Sequence, residues 1–136
     1  MVFIDTSFYF ALLNPQDSLH SKALNLAKKH GHAQKFTSNS ILGELATVGS
    51  QRFSKKLTTE YLDIIRTDSH TQTILETPKT VNLSWQIFSS VKNKDISWVD
   101  CFSIAIIKTH QIPTALTFDQ DFRKVAKKLN LSLKIL

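Results

Sequence analysis

Residues 2–8 read Val-Phe-Ile-Asp-Thr-Ser-Phe, an apolar run that stops at an acid and is followed by two hydroxyl-bearing residues. Three consecutive apolar residues indicate a short buried strand, which places Asp5 at the carboxyl end of that strand. Thr6 or Ser7 can cap a following helix from Phe8 to Leu13. The stretch therefore predicts a strand–helix unit with an acid at the junction.

A second acid follows a strand near the carboxyl terminus. Thr114 to Phe118 is predicted to form a strand that ends at Asp119. A short basic helix from Phe122 to Leu129 then leads to a last strand from Leu131 to Leu136. In open parallel sheets, binding sites form outside the carboxyl ends of the strands. Asp5 and Asp119 both occupy such positions.

Between these two units, helical and strand patterns alternate. Helices are predicted from Asp17 or Ser18 to about His30, from Ser38 or Ser40 onward, from Ser54 or Thr58 to about Thr67, from Pro78 to about Lys92 and from Ser97 to Gln111; strands are predicted at Lys35–Thr37 and Thr71–Leu75. Alternating strands and helices predict a layered α/β fold with a mainly parallel sheet. We expect one domain over residues 1–136, because no repeat or linker interrupts the pattern.

Composition narrows the class of protein. Hydrophobic residues make up 42% of the 136 residues and charged residues 21%, which is ordinary for a folded globular domain. The longest apolar runs are too short to span a membrane, and no secretory signal is recognised. One cysteine, Cys101, excludes an internal disulfide and favours a cytoplasmic location. The formal net charge of +6 favours an anionic partner such as nucleic acid or an acidic protein.

Two further acids lie on predicted helices. Glu44 has apolar residues three positions before it and one and four positions after it, so we expect it near the buried side of its helix. Asp100 closes Ser97-Trp98-Val99-Asp100, which resembles a capping box with Asp in place of Glu. Each acid also has a structural explanation, since the strand-end acids could cap helices, Glu44 could pair with a lysine, and Asp100 could serve only the capping box.

Taken together, the four acids predict a metal site. Carboxylates gathered in one pocket repel one another and their pKa values rise unless a cation is present. Mg²⁺ and Mn²⁺ prefer carboxylate and water oxygens, and they bind phosphates well. The other acids stand among polar or charged residues and are interpreted as solvated: Asp17, Glu60, Asp63, Asp68, Glu76 and Asp95.

Four segments together resemble the PIN domain. They are Asp5-Thr6-Ser7, the helical Glu44, the helix start Ser97-Trp98-Val99-Asp100-Cys101, and residues 116–122, which read Leu-Thr-Phe-Asp-Gln-Asp-Phe. More narrowly, the length and motif order resemble a VapC-type toxin ribonuclease of a toxin–antitoxin pair. The resemblance covers the whole chain and implies a PIN-like three-layer α/β/α fold with a mainly parallel central sheet of four to five strands.

The same resemblance implies a metal-dependent endoribonuclease that uses Mg²⁺ or Mn²⁺. Its metal-binding and catalytic acids correspond to Asp5, Glu44, Asp100 and Asp119. Auxiliary residues correspond to Thr6, Ser7, Thr117 and Asp121. An activated water would attack phosphorus and leave a 5′-phosphate and a 3′-hydroxyl, and Asp119 could orient or deprotonate that water. The implied partners are an RNA substrate, a cognate antitoxin protein and a second copy of the chain in a homodimer.

Basic residues near the acids are candidates for binding the RNA backbone. They follow the Glu44 segment and Asp119, and they are Arg52, Lys55, Lys56, Arg123, Lys124, Lys127 and Lys128. The alternative is that they form solvated helix faces. Trp98 is interpreted as a core or dimer contact rather than a base-stacking platform.

Two other functions stay open at the level of the sequence. One is a PIN endonuclease outside toxin–antitoxin biology, acting in RNA processing. The other is a non-catalytic PIN domain that only binds RNA or serves as a scaffold. Domains of the second kind usually lack some of the acids, whereas all four are present here.

Overall fold

Each of the first four strands is followed by one or two helices in residues 1–92 and 94–136, which are the residues that the computed structural model describes. In chain order they are β1 (Val2–Ile4), α1 (Thr6–Leu13), α2 (His20–Lys29), β2 (Lys35–Ser38), α3 (Asn39–Arg52), α4 (Lys55–Thr67), β3 (Thr71–Ile74), α5 (Pro78–Ser90), α6 (Trp98–His110), β4 (Thr114–Leu116), α7 (Gln120–Lys128) and β5 (Lys134–Ile135). Each element predicted from the sequence is present, with ends that differ by a few residues.

The sheet places β1 at its centre, in the order β3-β2-β1-β4-β5. Phe3 pairs with Phe36 of β2 on one side and with Ala115 of β4 on the other. All strand pairings in the described residues are parallel. The predicted α/β/α fold is confirmed, with five strands in its sheet. Asp5 directly follows β1, so it stands in the middle of the carboxyl edge of the sheet.

Apolar side chains from the sheet and helices form one core. Four phenylalanines are fully buried: Phe3, Phe8, Phe102 and Phe122. Burial of a side chain of this size contributes about 1.5–3 kcal/mol relative to exposure. Positions 101 to 107 of α6 are all buried and α5 packs against this helix, so the core also fixes Asp100 in the first turn. Within the described ranges, no helix combines the length and the apolar character needed to cross a membrane.

The expectation that Thr6 or Ser7 caps the first helix is wrong. The N-cap of α1 is Asp5, whose side chain accepts a 3.2 Å hydrogen bond from the Ser7 amide. The two hydroxyls are engaged elsewhere, because Thr6 donates to Glu44 and Ser7 donates to Asp5 itself. The helix therefore begins at Thr6 instead of Phe8.

The start of the second helix also differs from the prediction. It begins at His20 after Leu19, which offers no side-chain cap. Asp17 accepts a 2.8 Å hydrogen bond from the Leu19 amide, so it stabilises a turn just before the helix. Elsewhere the capping predictions are confirmed, since Ser38, Ser54 and Ser97 each accept a backbone amide at a helix start.

Close packing of α3 against α4 depends on Gly49. A Cβ atom at this position would lie 2.9 Å from Thr58 Cγ2, nearer than carbon atoms pack. Both residues are buried, so neither can move easily into solvent. The missing side chain therefore allows the two helices to approach, and it sets the position of α3, which carries Glu44.

Candidate metal centre

A cavity of about 300 Å³ opens at the carboxyl edge of the sheet. All four acids predicted to bind metal line it, and its full lining is Asp5, Thr6, Ser7, Phe10, Glu44, Val48, Arg52, Asp95, Ser97, Asp100 and Asp119. A separate cavity of about 190 Å³ lies against Phe8, Tyr9 and Tyr61, and its wall is almost wholly apolar. The first cavity offers several carboxylates, as a hard cation requires, whereas the acid described at the second cavity is Asp68, which is paired with Lys35.

The fold brings the acids together from four different elements. Asp5 follows β1, and its amide donates a 3.1 Å hydrogen bond to the carbonyl of Leu116 at the end of β4. Asp119 lies just beyond β4 and caps α7. Glu44 belongs to the second turn of α3, which starts directly after β2, and Asp100 belongs to the first turn of α6. Residues up to 114 positions apart therefore share one cavity.

Asp5 is held firmly at the centre of the site. Its Oδ2 accepts hydrogen bonds from Ser7 Oγ at 2.6 Å, from the Ser7 amide at 3.2 Å and from Thr117 Oγ1 at 2.8 Å. Ser7 Oγ in turn accepts from the Phe118 amide at 2.9 Å, and Thr117 Oγ1 accepts from the Asp119 amide at 3.1 Å. The two hydroxyls tie the end of β1 to the segment that carries Asp119.

Glu44 and Asp100 are oriented by other hydroxyl groups. Glu44 Oε2 accepts a 2.5 Å hydrogen bond from Thr6 Oγ1. Asp100 Oδ2 accepts from the Ser97 amide at 2.8 Å and from Ser97 Oγ at 2.7 Å, while Ser97 Oγ accepts from the Asp100 amide at 3.0 Å. This is the capping box expected from the sequence, so the bonds that start α6 also orient Asp100.

The four carboxylates share one pattern of hydrogen bonding. Asp119 Oδ1 accepts from the amides of Asp121 at 2.7 Å and Phe122 at 3.2 Å. The hydrogen bonds described above reach one oxygen of each carboxylate. These oxygens are Oδ2 in Asp5 and Asp100, Oε2 in Glu44 and Oδ1 in Asp119. None of these hydrogen bonds reaches the second oxygen of each group, which makes that oxygen a candidate cation ligand. Capping and metal binding are therefore compatible, because they use different oxygens of the same group.

Burial disfavours the charged forms of Asp5 and Asp100, and repulsion adds to this effect at Asp100. Burial raises the pKa of Asp5, and the hydrogen bonds from Ser7 and Thr117 offset this only in part. The pKa of Asp100 is raised to about 6, chiefly by burial and further by the charges of Asp5 and Asp119, against the hydrogen bonds from Ser97. A bound cation would oppose both effects, so the electrostatics favour cation binding.

The carboxylate oxygens of the cavity suit a hard cation, although they do not form a complete coordination shell. Within the described ranges, no three acid, histidine or cysteine side chains already converge as a coordinating group. Mg²⁺ commonly keeps several waters and binds proteins through one or two carboxylates, so a closed cage is not required. The shared cavity and the four oxygens without measured hydrogen bonds agree with that mode of binding.

Most of the predicted auxiliary residues lie at the site. Thr6 and Ser7 line the cavity, and the buried Thr117 contacts Asp5 behind it. Asp121 differs, because its carboxylate pairs with Lys124 at 2.9 Å and it does not line the cavity.

Asp95 also lines the cavity, whereas the sequence had suggested only a solvated acid at this position. Its side chain is exposed, so that reading was correct about solvent but missed the location. Its location near the site could have been predicted, because Asp95 lies two residues before Ser97, the N-cap of the helix that carries Asp100. A residue so close to this helix start must lie near the first turn.

The predicted RNA-binding residues occupy different environments. Arg52 lines the cavity. Arg123 turns toward the backbone instead, and its Nη2 donates a 3.1 Å hydrogen bond to the carbonyl of Thr117. Lys124 forms the ion pair with Asp121. The remaining candidates are exposed on helix surfaces: Lys55, Lys56, Lys127 and Lys128.

Comparison with known proteins gives a consistent family. The model of the PIN domain matches residues 2–128. The chain is 31% identical over 123 residues to the 23S rRNA-specific endonuclease VapC20 of Mycobacterium tuberculosis. The aligned region covers 90% of this chain and 92% of VapC20. The crystal structure of VapC20, a sarcin–ricin loop cleaving toxin, matches with a TM-score of 0.84 and 27% identity over 91% of this chain and 94% of that one.

Two more distant structures share the fold. FitAcB from Neisseria gonorrhoeae matches with a TM-score of 0.74 at 17% identity and covers 100% of this chain and 96% of its own. A toxin–antitoxin complex from Klebsiella pneumoniae matches with a TM-score of 0.66 at 17% identity and covers 90% of each chain. At this level of identity, the likeness establishes the fold alone.

Proposed function

The chain belongs to the PIN domain family, and we propose that it is a divalent-metal-dependent endoribonuclease and the toxin of a type II toxin–antitoxin pair. One observation carries the proposal. Four carboxylates line a single cavity, and each accepts its measured hydrogen bonds on one oxygen only. We propose Mg²⁺ or Mn²⁺ as the cofactor, because these ions prefer carboxylate and water oxygens.

The acids divide into two roles by burial and orientation. Asp5 and Asp100 are 3% and 8% exposed and are fixed by several donors, so they are the best metal ligands, with Glu44 next. A divalent cation held by these acids would supply positive charge for a phosphate and would make a bound water more acidic. Asp119 is only half-buried, and its Oδ2 would orient the attacking water or take its proton. Hydrolysis of this kind leaves a 5′-phosphate and a 3′-hydroxyl.

The hydroxyl residues act through the acids. Ser7 and Thr117 hold Asp5, and Thr6 holds Glu44. Hydrogen-bond partners of metal ligands fix the orientation of the ligands and raise metal affinity. We therefore assign Thr6, Ser7 and Thr117 as positioning residues and leave Asp121 to its pairing with Lys124.

The proposed partners are RNA and an antitoxin. VapC20 is named for action on 23S rRNA, so ribosomal RNA is the first substrate to test. A cognate antitoxin is proposed because a solved toxin–antitoxin complex shares the fold and the chain is similar to a toxin. A homodimer and a cytoplasmic location remain expectations from the sequence. The presence of all four acids in one cavity favours catalysis over a domain that only binds RNA.

The central experiment compares wild type with Asp5→Asn on an RNA that contains the sarcin–ricin loop, and on total RNA, in Mg²⁺, in Mn²⁺ and in EDTA. The matched control is Asp63→Asn, an exposed acid on α4. We expect metal-dependent cleavage by wild type and the control, and a loss of about 100-fold or more in Asp5→Asn. Equal cleavage by all three proteins, or products ending in 2′,3′-cyclic phosphate, would contradict the proposal. Binding of RNA without any cleavage would favour the non-catalytic alternative.

A further inference from the structure

Two positive side chains each lie over a phenylalanine ring, one on the wall of the acidic cavity and one over the residue that precedes Asp119. Arg52 Cζ is 5.5 Å from the centre of the Phe10 ring, and Lys22 Nζ is 5.4 Å from the centre of the Phe118 ring. Both cations are exposed to solvent. A cation at this distance from a ring face is attracted by the ring quadrupole, so each side chain has a preferred position.

The rings themselves are fixed by neighbouring aromatic side chains. The Phe118 ring lies 5.6 Å from that of Phe8, which is 1% exposed. The Phe10 ring lies 6.4 Å from that of Phe53. Both Phe10 and Phe118 pack against the hydrophobic core. The two cations therefore rest on rigid supports rather than on mobile loops.

The two cation–ring pairs involve different elements, because one joins α3 to α1 and the other joins α2 to the segment after β4. Arg52 ends α3, the helix that follows β2, and it lines the acidic cavity with Phe10. Phe118 directly precedes Asp119, and its amide donates to Ser7 Oγ on the cavity wall. The first pair therefore lies on the cavity wall, and the second lies at the segment that leads from β4 to Asp119.

Both cations are also available to an anionic ligand. In the described residues, neither Lys22 nor Arg52 forms an ion pair with a carboxylate. The contrast is with Lys124 and Lys35, which are held by Asp121 and Asp68 at 2.9 Å. A positive charge that the protein places and leaves unneutralised, next to a cavity for a phosphate-binding metal, suits a second phosphate group.

We propose that Lys22 and Arg52 grip the RNA backbone on the two sides of the cleavage site, so that the strand crosses the acidic cavity between them. This inference rests on the proposed function and deepens it, because it assigns the path of a single-stranded substrate. Lys22 carries a role that its sequence context does not reveal. Arg52 takes priority over the candidates on α7, of which Arg123 and Lys124 are engaged within the protein.

If Lys22 and Arg52 bind the RNA backbone, substituting either residue should change both KM and the salt dependence of RNA binding. Contacts made equally in the bound substrate and in the transition state affect KM and leave kcat nearly unchanged. Each phosphate contact also contributes to the salt dependence of binding, with a slope of about 0.7 in log Kd against log salt for a single strand. A residue that only supports the fold would change neither the slope nor KM in this manner.

The experiment uses Lys22→Gln, Arg52→Gln and the double variant of the full chain. Matched controls are Lys29→Gln and Arg66→Gln, because these exposed residues lie in the last turns of α2 and α4, next to the amino ends of β2 and β3. Cleavage kinetics with Mn²⁺ give KM and kcat. Binding of a single-stranded RNA oligonucleotide in EDTA, followed by fluorescence anisotropy over a range of salt concentrations, gives the slope.

We expect each single variant to raise KM by about fivefold to tenfold with kcat within about twofold, and to lower the slope by about 0.7. The double variant should lower it by about 1.4. Phe10→Leu should raise KM by about twofold to fivefold while Arg52 is still present, since the ring no longer positions the cation. Slopes and KM values equal to those of the controls would overturn the inference. If wild type cleaves no RNA, the proposed function fails, and the binding slopes still decide whether the two cations grip the strand.

Discussion

The Thr6 hydroxyl donates a 2.5 Å hydrogen bond to Glu44 Oε2, which joins the first turn of α1 to α3 across 38 residues of sequence. Thr6 is 7% exposed, so water replaces this donor poorly. We expect Thr6→Val to lower metal affinity and cleavage by about 10-fold or more, because such partners orient metal ligands. Thr6→Ser keeps the hydroxyl and should retain most activity. Titration of Mn²⁺ against cleavage rate measures the effect, and equal metal affinity in Thr6→Val would contradict this role for Thr6.

Asp100 should make the metal-free protein less stable as the pH rises. Its folded-state pKa is raised to about 6 from 3.8, so the folded protein holds a proton that the unfolded chain has already released between these values. Stability is therefore greatest below about pH 4 with respect to this group and falls as the pH rises through about 6. We expect Asp100→Asn to be more stable than wild type at neutral pH by about 1 to 2 kcal/mol in EDTA.

Urea denaturation on both sides of this pH window measures the difference. The gap between Asp100→Asn and wild type should shrink in acid, and added Mg²⁺ should stabilise wild type more than the variant. Asp63→Asn, which removes an exposed acid, serves as the control. A variant that is less stable than wild type at neutral pH without metal would show that the capping role of Asp100 outweighs the cost of burying its charge.

The stability that Asp68 contributes should depend on pH in the opposite direction to that of Asp100. Hydrogen bonds from Thr71 and Lys35 lower its pKa below the ordinary 3.8. Lys35 Nζ lies 2.9 Å from Asp68 Oδ2 and joins β2 to the segment before β3. The stabilisation is present above about pH 4 and is lost as the pH falls toward the lowered pKa. We expect Asp68→Asn to cost about 1 to 2 kcal/mol at neutral pH, and less in acid. Thermal melts at several pH values measure this, and a pH-independent difference would contradict the assignment.

Gly49 and Gly43 lie on the same helix and offer a matched pair of substitutions. A Cβ at Gly49 would meet Thr58 Cγ2 at 2.9 Å, whereas a Cβ at Gly43 would have no neighbour within 4 Å. We expect Gly49→Ala to destabilise by about 1 to 3 kcal/mol through overpacking. Gly43→Ala should stabilise by about 0.5 to 1 kcal/mol, because alanine favours the helix. Equal stability of the two variants in urea would mean that α3 and α4 can separate without cost.

Local patterns in the sequence were sufficient for the order of the elements and for the candidate acids. Three apolar residues before Asp5 indicate a strand, and Ser97 with Asp100 indicates a helix start, because both signals arise from neighbouring residues. The capping of α1 was misassigned for the same reason. Three adjacent polar residues offered equivalent caps, and distant partners decided which of them was used.

The basic residues show where sequence reasoning stops. Arg123 and Arg52 are indistinguishable as charges, yet Arg123 donates to the carbonyl of Thr117 and Arg52 lines the cavity. Lys22 lies at least 17 residues from each of the four candidate acids in sequence, and it comes to lie over Phe118, the residue before Asp119, only because of how α2 packs. Nothing in the spacing of charges along the chain distinguishes these cases.

The sequence by itself determined the family, the alternation of strands and helices, and the identity of the four acids. Tertiary structure alone decided that these acids share one cavity and which oxygen of each carboxylate accepts the measured hydrogen bonds. The physical reason is that the hydrogen-bond donors to these carboxylates include residues distant in sequence. Thr117, which fixes Asp5, lies 112 residues away, and Thr6, which fixes Glu44, lies 38 residues away. Such pairings depend on how the strands and helices pack, and local propensity carries no information about them.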